Sequence, residues 1–189
     1  MTVSDASFGP SAIATPANAV TVFRLLVTVP LLMMVVDQHD SWSAVVLWIV
    51  LCITDGIDGH LARRQGTTRS GAFLDPLADK VLVLGTMIAL VAAGSFWWLP
   101  VCVIGVREVA ISLFRSYWVR RGLAVPASRL AKVKTVTQEF AVGFALLPLT
   151  ADRAWVANSV LWTALALTLI SGAQYVHAGS RVTRTTGSC

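Results

Sequence analysis

Six apolar segments follow one another along the chain with short polar breaks between them. They run from about Ala19 to Val36, Trp42 to Ala62, Pro76 to Ala93, Phe96 to Val119, Leu130 to Leu149 and Ala154 to Val176. A helix needs roughly 20 such residues to cross the hydrocarbon core of a bilayer. Within hydrocarbon each backbone polar group must be satisfied inside the protein, and the alternating pattern of a barrel is absent, so these segments read as helices. The 189 residues are 56% hydrophobic and 13% charged, with mean hydropathy +0.71, which excludes an ordinary soluble domain. The expectation is an all-α integral membrane protein with six transmembrane helices. Residues 1–14 would be a flexible lead-in, 15–180 the helical domain and 181–189 a polar tail. The lead-in lacks the basic region of a cleavable signal peptide. Cys52, Cys102 and Cys189 lie far apart, with no metal or disulfide spacing.

Loop charges orient the segments. Arg63, Arg64 and Arg69 lie between the second and third, Arg120, Arg121 and Arg129 between the fourth and fifth, and Arg181 and Arg184 after the sixth. The opposite loops hold Asp37, Asp40, Asp152 and Arg153. Cytoplasmic loops collect Lys and Arg, so both termini and the Arg-rich loops are expected in the cytoplasm, with the chain multi-pass in the cell (inner) membrane. The same rule accounts for the net charge of +5 without nucleic acid as a partner. Trp42, Trp97, Trp98 and Trp155 fall at the outer interface, where an aromatic belt explains them.

Segments two to five are polar in one half, and the orientation brings those halves together: Asp55–Arg63, Gly71–Lys80, Arg107–Arg121 and Arg129–Lys134. Ionisable residues inside spans face a bundle interior or a wet cavity. A polar cavity surrounded by the six helices and open to the cytoplasm follows. Four of the ten acidic residues, Asp55, Asp58, Asp75 and Asp79, belong to it. Asp55, Asp58 and Ala62 share a helix face, and Gly71, Asp75 and Asp79 share another if the third helix starts early enough, with Pro76 near its start. Gathered carboxylates repel unless hard cations sit between them, and oxygen ligands without His or Cys fit Mg²⁺ or Mn²⁺ rather than zinc. Two such ions can clamp a phosphoryl group. Gly59 leaves room for a bulky ligand, and Arg63 offers a fork to a phosphate.

"DGIDGHLARRQGTTRSGAFLDPLAD" resembles the signature of the CDP-alcohol phosphotransferases, D-x2-D-G-x2-A-R, a spacer, then G-x3-D-x3-D. Asp55, Asp58, Gly59, Ala62, Arg63, Gly71, Asp75 and Asp79 fill every position. "TPANAVTVFRLL", "FLDPLADKVLV", "REVAISLFR" and "KVKTVTQ" are similar to the bacterial branch of the family that makes phosphatidylglycerophosphate, and "SGAQYV" is a fainter match. The resemblance implies a six-helix homodimer that transfers a phosphatidyl group from CDP-diacylglycerol, a membrane lipid, to sn-glycerol 3-phosphate, releasing CMP. It implies two divalent ions, Mg²⁺ or Mn²⁺, on Asp55, Asp58, Asp75 and Asp79, with Asp79 also the general base. It implies a CDP-diacylglycerol site formed by Gly59, Ala62 and Arg63 beside Asp55 and Asp58, with Gly71 in the same signature.

The acceptor is a dianion and needs cations. Arg107 and Arg115, eight apart on the fourth segment, and Lys132 and Lys134 on the fifth are expected to frame its phosphate. Glu108 either orients a basic partner or forms an ordinary ion pair, and Arg24 is read as a snorkelling anchor. Glu139 stands where the family pattern has an apolar residue and is expected to pair with a cation of the cavity. Two rivals stand beside this reading. One is a same-family enzyme with another acceptor, inositol phosphate before serine or phosphatidylglycerol. The other is a divalent-cation transporter, which would need carboxylates along a path to both faces rather than clustered at one.

Overall fold

The computed structural model describes the backbone of residues 16–38, 40–65, 71–120 and 129–186, and the side chains of 19–38, 40–56, 78–114, 130 and 132–174. The described residues form six α-helices: α1 (Pro16–Asp37), α2 (Trp42–Gln65), α3 (Gly71–Ala92), α4 (Trp98–Arg120), α5 (Arg129–Leu146) and α6 (Ala154–Thr186). A 3₁₀ turn, Pro148–Arg153, joins the last two, and no strand occurs among the described residues. The expected all-α architecture is therefore present. Two helical stretches, Ala19–Asp37 and Pro148–Gln174, are long and apolar enough by composition to cross a membrane.

Helix ends follow local chemistry. Ser41 accepts the amide of Ala44 at 3.2 Å and so caps the start of α2. Gly94, with φ +78°, closes α3 in a Schellman turn. There the Ser95 amide reaches the Leu90 carbonyl at 2.9 Å and the Gly94 amide reaches Val91 at 3.0 Å. A side chain at Gly94 would strain this left-handed conformation.

Two boundaries differ from the hydropathy reading. Helix α3 begins at Gly71, which sets Pro76 in its second turn rather than at its start and carries Gly71, Asp75 and Asp79 on one continuous helix. Helix α6 continues to Thr186, into the segment read as a polar tail. Hydropathy registers where a helix leaves hydrocarbon, whereas backbone hydrogen bonding continues past that point.

Helix α1 packs on α2 and α3, α4 on α3 and α6, and α5 on α2, α3 and α6. The buried stripe of α1, Thr21, Arg24, Thr28, Leu31 and Val35, steps by three and four residues, the spacing of one helix face. It is polar at one end and apolar at the other. Three others repeat this polarity: α4 carries Val101, Ile104 and Glu108, α5 carries Lys134, Gln138, Ala141 and Leu146, and α6 carries Leu161, Leu165, Thr168 and Ser171. Since the helices alternate in direction, the polar ends coincide at the N-terminal ends of α1, α3 and α5 and the C-terminal ends of α2, α4 and α6.

Buried hydroxyls spend their protons on their own helices. Thr28 donates to the Arg24 carbonyl at 2.8 Å and Thr86 to the Leu82 carbonyl at 2.7 Å. The outward faces are apolar, with Phe23, Leu26, Met33, Ile88, Val106, Leu113 and Phe140 each at least 59% exposed. Such a surface suits hydrocarbon, not water. Trp42, Trp97, Trp98 and Trp155 are exposed near the starts of α2, α4 and α6, at the end opposite the polar groups.

Candidate active site

The polar end is assembled from all six helices. Helices α2 and α3 bring Asp55 and Asp79 together closely enough for each charge to oppose the other. Asp79 follows Asp75 by one helical turn, and Asp58 and Ala62 continue the face of Asp55 at three and seven residues. The backbone of these positions is helical, as the signature requires. The side chains of Asp58, Gly59, Ala62, Arg63, Gly71, Asp75 and Arg115 lie outside the described residues.

Arg24 is not a snorkelling anchor. It is 1% exposed and reaches inward from α1 to Asp55, Nη1 to Oδ1 at 2.5 Å. A snorkelling side chain needs a helix end at the interface, whereas Arg24 sits in the third turn of α1 with a carboxylate beside it on α2. The signal was in the sequence: an ionisable residue inside an apolar helix is expected to have a partner.

A second cluster forms around Glu108. Its carboxylate takes Arg107 Nη1 at 2.9 Å and the Lys134 ammonium on Oε1, and lies 3.6 Å from Lys80 Nζ on Oε2. Lys80 also donates to the Glu108 carbonyl at 3.1 Å and to Ser112 Oγ. Arg107 Nη2 donates to Ser171 Oγ at 2.8 Å, which ties α4 to α6. Of the four expected cations, then, Arg107 and Lys134 meet, Lys132 is exposed, and Arg115 is not described. Lys80, the residue after Asp79, was missed as a member. Its sequence neighbours are the aspartate motif, which masks its reach across to α4.

Gly172 makes room for this arrangement. A Cβ there would come within 3.2 Å of Arg107 Nε, so any side chain on Gly172 would push the guanidinium aside by a few tenths of an ångström.

Glu139 corrects another expectation. It has no ion-pair partner among the described residues. It lines a groove of about 420 Å³ between α2 and α5, with Trp48, Cys52, Ile53, Phe140 and Phe144. Its charge acts on those of Asp79 and Asp55 rather than on a cation. Lys80, Arg107 and Lys134 are gathered at Glu108 instead.

The CDP-alcohol phosphatidyltransferase family matches residues 14–170. The chain belongs to that family, and is a transferase of phospholipid synthesis. Among its relatives is a protein of Mycobacterium tuberculosis (strain H37Rv) named probable phosphatidylglycerophosphate synthase. It is 39% identical over 181 residues, covering 92% of this chain and 85% of the relative. The Escherichia coli (strain K12) protein named CDP-diacylglycerol–glycerol-3-phosphate 3-phosphatidyltransferase is 36% identical over 166 residues, covering 84% of this chain and 91% of the relative. A Shigella flexneri protein of the same name matches to the same extent.

Proposed function

We propose that this chain transfers the phosphatidyl group of CDP-diacylglycerol to sn-glycerol 3-phosphate, giving phosphatidylglycerophosphate and CMP. The observation that carries this reading is the approach of Asp55 on α2 to Asp79 on α3 beside a cluster of three cations, Lys80, Arg107 and Lys134, at the same end of the bundle. The names of the relatives support the same donor and acceptor. In this reading all six helices span the inner membrane as one domain, and the polar ends enclose a cavity open to the cytoplasm. Both termini are cytoplasmic and the protein is a homodimer. The lipid tails of the donor then stay in the bilayer while its nucleotide reaches the polar end.

Opposed carboxylates with hard oxygen donors fit divalent cations. Asp55, Asp58, Asp75 and Asp79 would hold two, Mg²⁺ or Mn²⁺, whose chemistry is to neutralise the diphosphate and polarise the phosphorus. Arg24 holds Asp55 in place for that task. Gly59, Ala62 and Arg63, with Gly71, shape the nucleotide site. The primary hydroxyl of the acceptor attacks the phosphorus that bears the diacylglycerol, in line with the bond to CMP. Asp79 accepts the hydroxyl proton as the new P–O bond forms, and CMP departs with its charge against Arg63. Arg107 and Lys134, with Arg115 and Lys132, attract the acceptor phosphate.

Purified protein in detergent or nanodiscs, given labelled CDP-diacylglycerol and a panel of acceptors, is expected to release CMP with glycerol 3-phosphate. Chelation by EDTA should stop the reaction and Mg²⁺ or Mn²⁺ restore it. Turnover with inositol phosphate but not glycerol 3-phosphate would move the acceptor assignment to the nearest rival. A finer test is Gly172→Ala. Crowding Arg107 away from Ser171 should raise the acceptor KM about fivefold, the worth of one hydrogen bond, and leave the KM for CDP-diacylglycerol unchanged.

A further inference from the structure

We propose that Glu108 is the positioning residue of the acceptor-phosphate subsite, and that Lys80 is that subsite's third cation. The inference rests on the function proposed above and assigns roles to two residues outside the signature.

One carboxylate holds three cations from three helices. Lys80 comes from α3, Arg107 from α4 beside Glu108 itself, and Lys134 from α5. Like charges gathered this closely in a half-buried place repel one another unless an anion bridges them. Glu108 is that bridge. Its side chain is 11% exposed, Lys134 is 6% exposed and Arg107 11%. Lys80, at 27%, is the most open of the three and marks the side from which a ligand can reach the cluster.

Three cations meet Glu108, and Asp79 is near enough to act on Lys80 and Lys134. Three positive charges against two negative ones leave an excess that attracts a phosphate monoester dianion. The donors are not all spent on Glu108. Arg107 Nε is buried with no hydrogen-bond partner among the described residues. An ordinary salt bridge would balance its charges and leave no such excess.

The cluster also sets distance. Lys80 directly follows Asp79, and its bonds to the Glu108 carbonyl and Ser112 fix this turn of α3 against α4. The cations are thereby held at a constant offset from the carboxylate proposed to take the acceptor proton. A phosphate bound at one end of a three-carbon acceptor then delivers the hydroxyl at the other end to Asp79.

Two roles for Glu108 predict opposite signs. As a plain counter-ion its removal would raise the positive charge and tighten acceptor binding. As a positioning residue its removal lets the three cations splay, and acceptor binding weakens. The experiment is steady-state kinetics of the full-length protein in nanodiscs, first with wild type and the acceptor panel, then with Glu108→Gln. The expected result is an acceptor KM raised about tenfold and a KM for CDP-diacylglycerol within twofold of wild type. Lys80→Met should raise the acceptor KM in the same selective way. Glu108→Asp, which keeps the charge on a shorter arm, should lie between wild type and Glu108→Gln.

An unchanged or lower acceptor KM in Glu108→Gln overturns the proposal while the assigned reaction stands. If wild type uses a different phosphorylated acceptor, the assigned reaction fails, and the same KM comparison made with that acceptor still decides the role of Glu108. If wild type uses only an acceptor without a phosphate, both fail. Should Glu108→Gln not fold, judged by loss of the thermal transition, Glu108→Asp carries the decision: an acceptor KM equal to wild type overturns the proposal.

Discussion

Asp79→Asn is expected to lower CMP release by about 10³-fold, the middle of the range for loss of a positioned general base. Asparagine keeps the volume of the side chain but cannot accept the hydroxyl proton and offers a hard cation only a neutral, weaker oxygen ligand. Stability should move the other way. Asp79 sits half-buried with the charges of Asp55 and Glu139 acting on it. An uncharged side chain there relieves repulsion, so the thermal midpoint without metal should be equal to wild type or higher. Activity within tenfold of wild type would remove Asp79 from the chemistry. A collapse of the thermal transition would instead make it a structural residue. Raised stability with lost activity is the signature of a site that holds like charges together for function.

The second large effect is expected from Arg24→Met. Methionine fills much of the space but withdraws the cation from Asp55. Arg24 is buried but Asp55 is 36% exposed, so removing the cation costs about 2 kcal/mol, between a surface and a fully buried pair, read as a lower thermal midpoint. The activity loss should be larger than that cost implies. Asp55 would lose the contact that aims it, and a misplacement of about 1 Å among groups that orient a reaction costs about 100-fold. Arg24→Lys should recover part of the activity, because an ammonium restores the charge without the planar fork. A snorkelling anchor predicts near-wild-type values in both assays. That outcome would overturn the role of the Arg24–Asp55 pair seen at 2.5 Å.

Much of the molecule is written in local patterns. Runs of apolar residues define the helices, and the three- and four-residue steps along the aspartate motif define its two faces once the backbone is helical. The polarity reversal along each stripe, from Thr21 to Val35 on α1 and from Leu161 to Ser171 on α6, is likewise carried by single helices. The family signature belongs to the same kind of information, since its eight positions fall within 25 consecutive residues.

Partnership is a different matter. Arg24 meets Asp55 across 31 positions, Lys134 meets Glu108 across 26, and Arg107 meets Ser171 across 64. Hydropathy could assign Arg24 to an interface and Glu139 to an ion pair because it measures the cost of a charge and not its neighbours. The rotation of each helix about its axis decides those neighbours, and rotation is set by packing against several helices at once. Composition and spacing thus established a set of apolar helices with an aspartate motif at one end. The gathering of Lys80, Arg107 and Lys134 on Glu108 came from the way α3, α4, α5 and α6 pack. A buried charge takes whichever opposite charge the packed helices bring within reach.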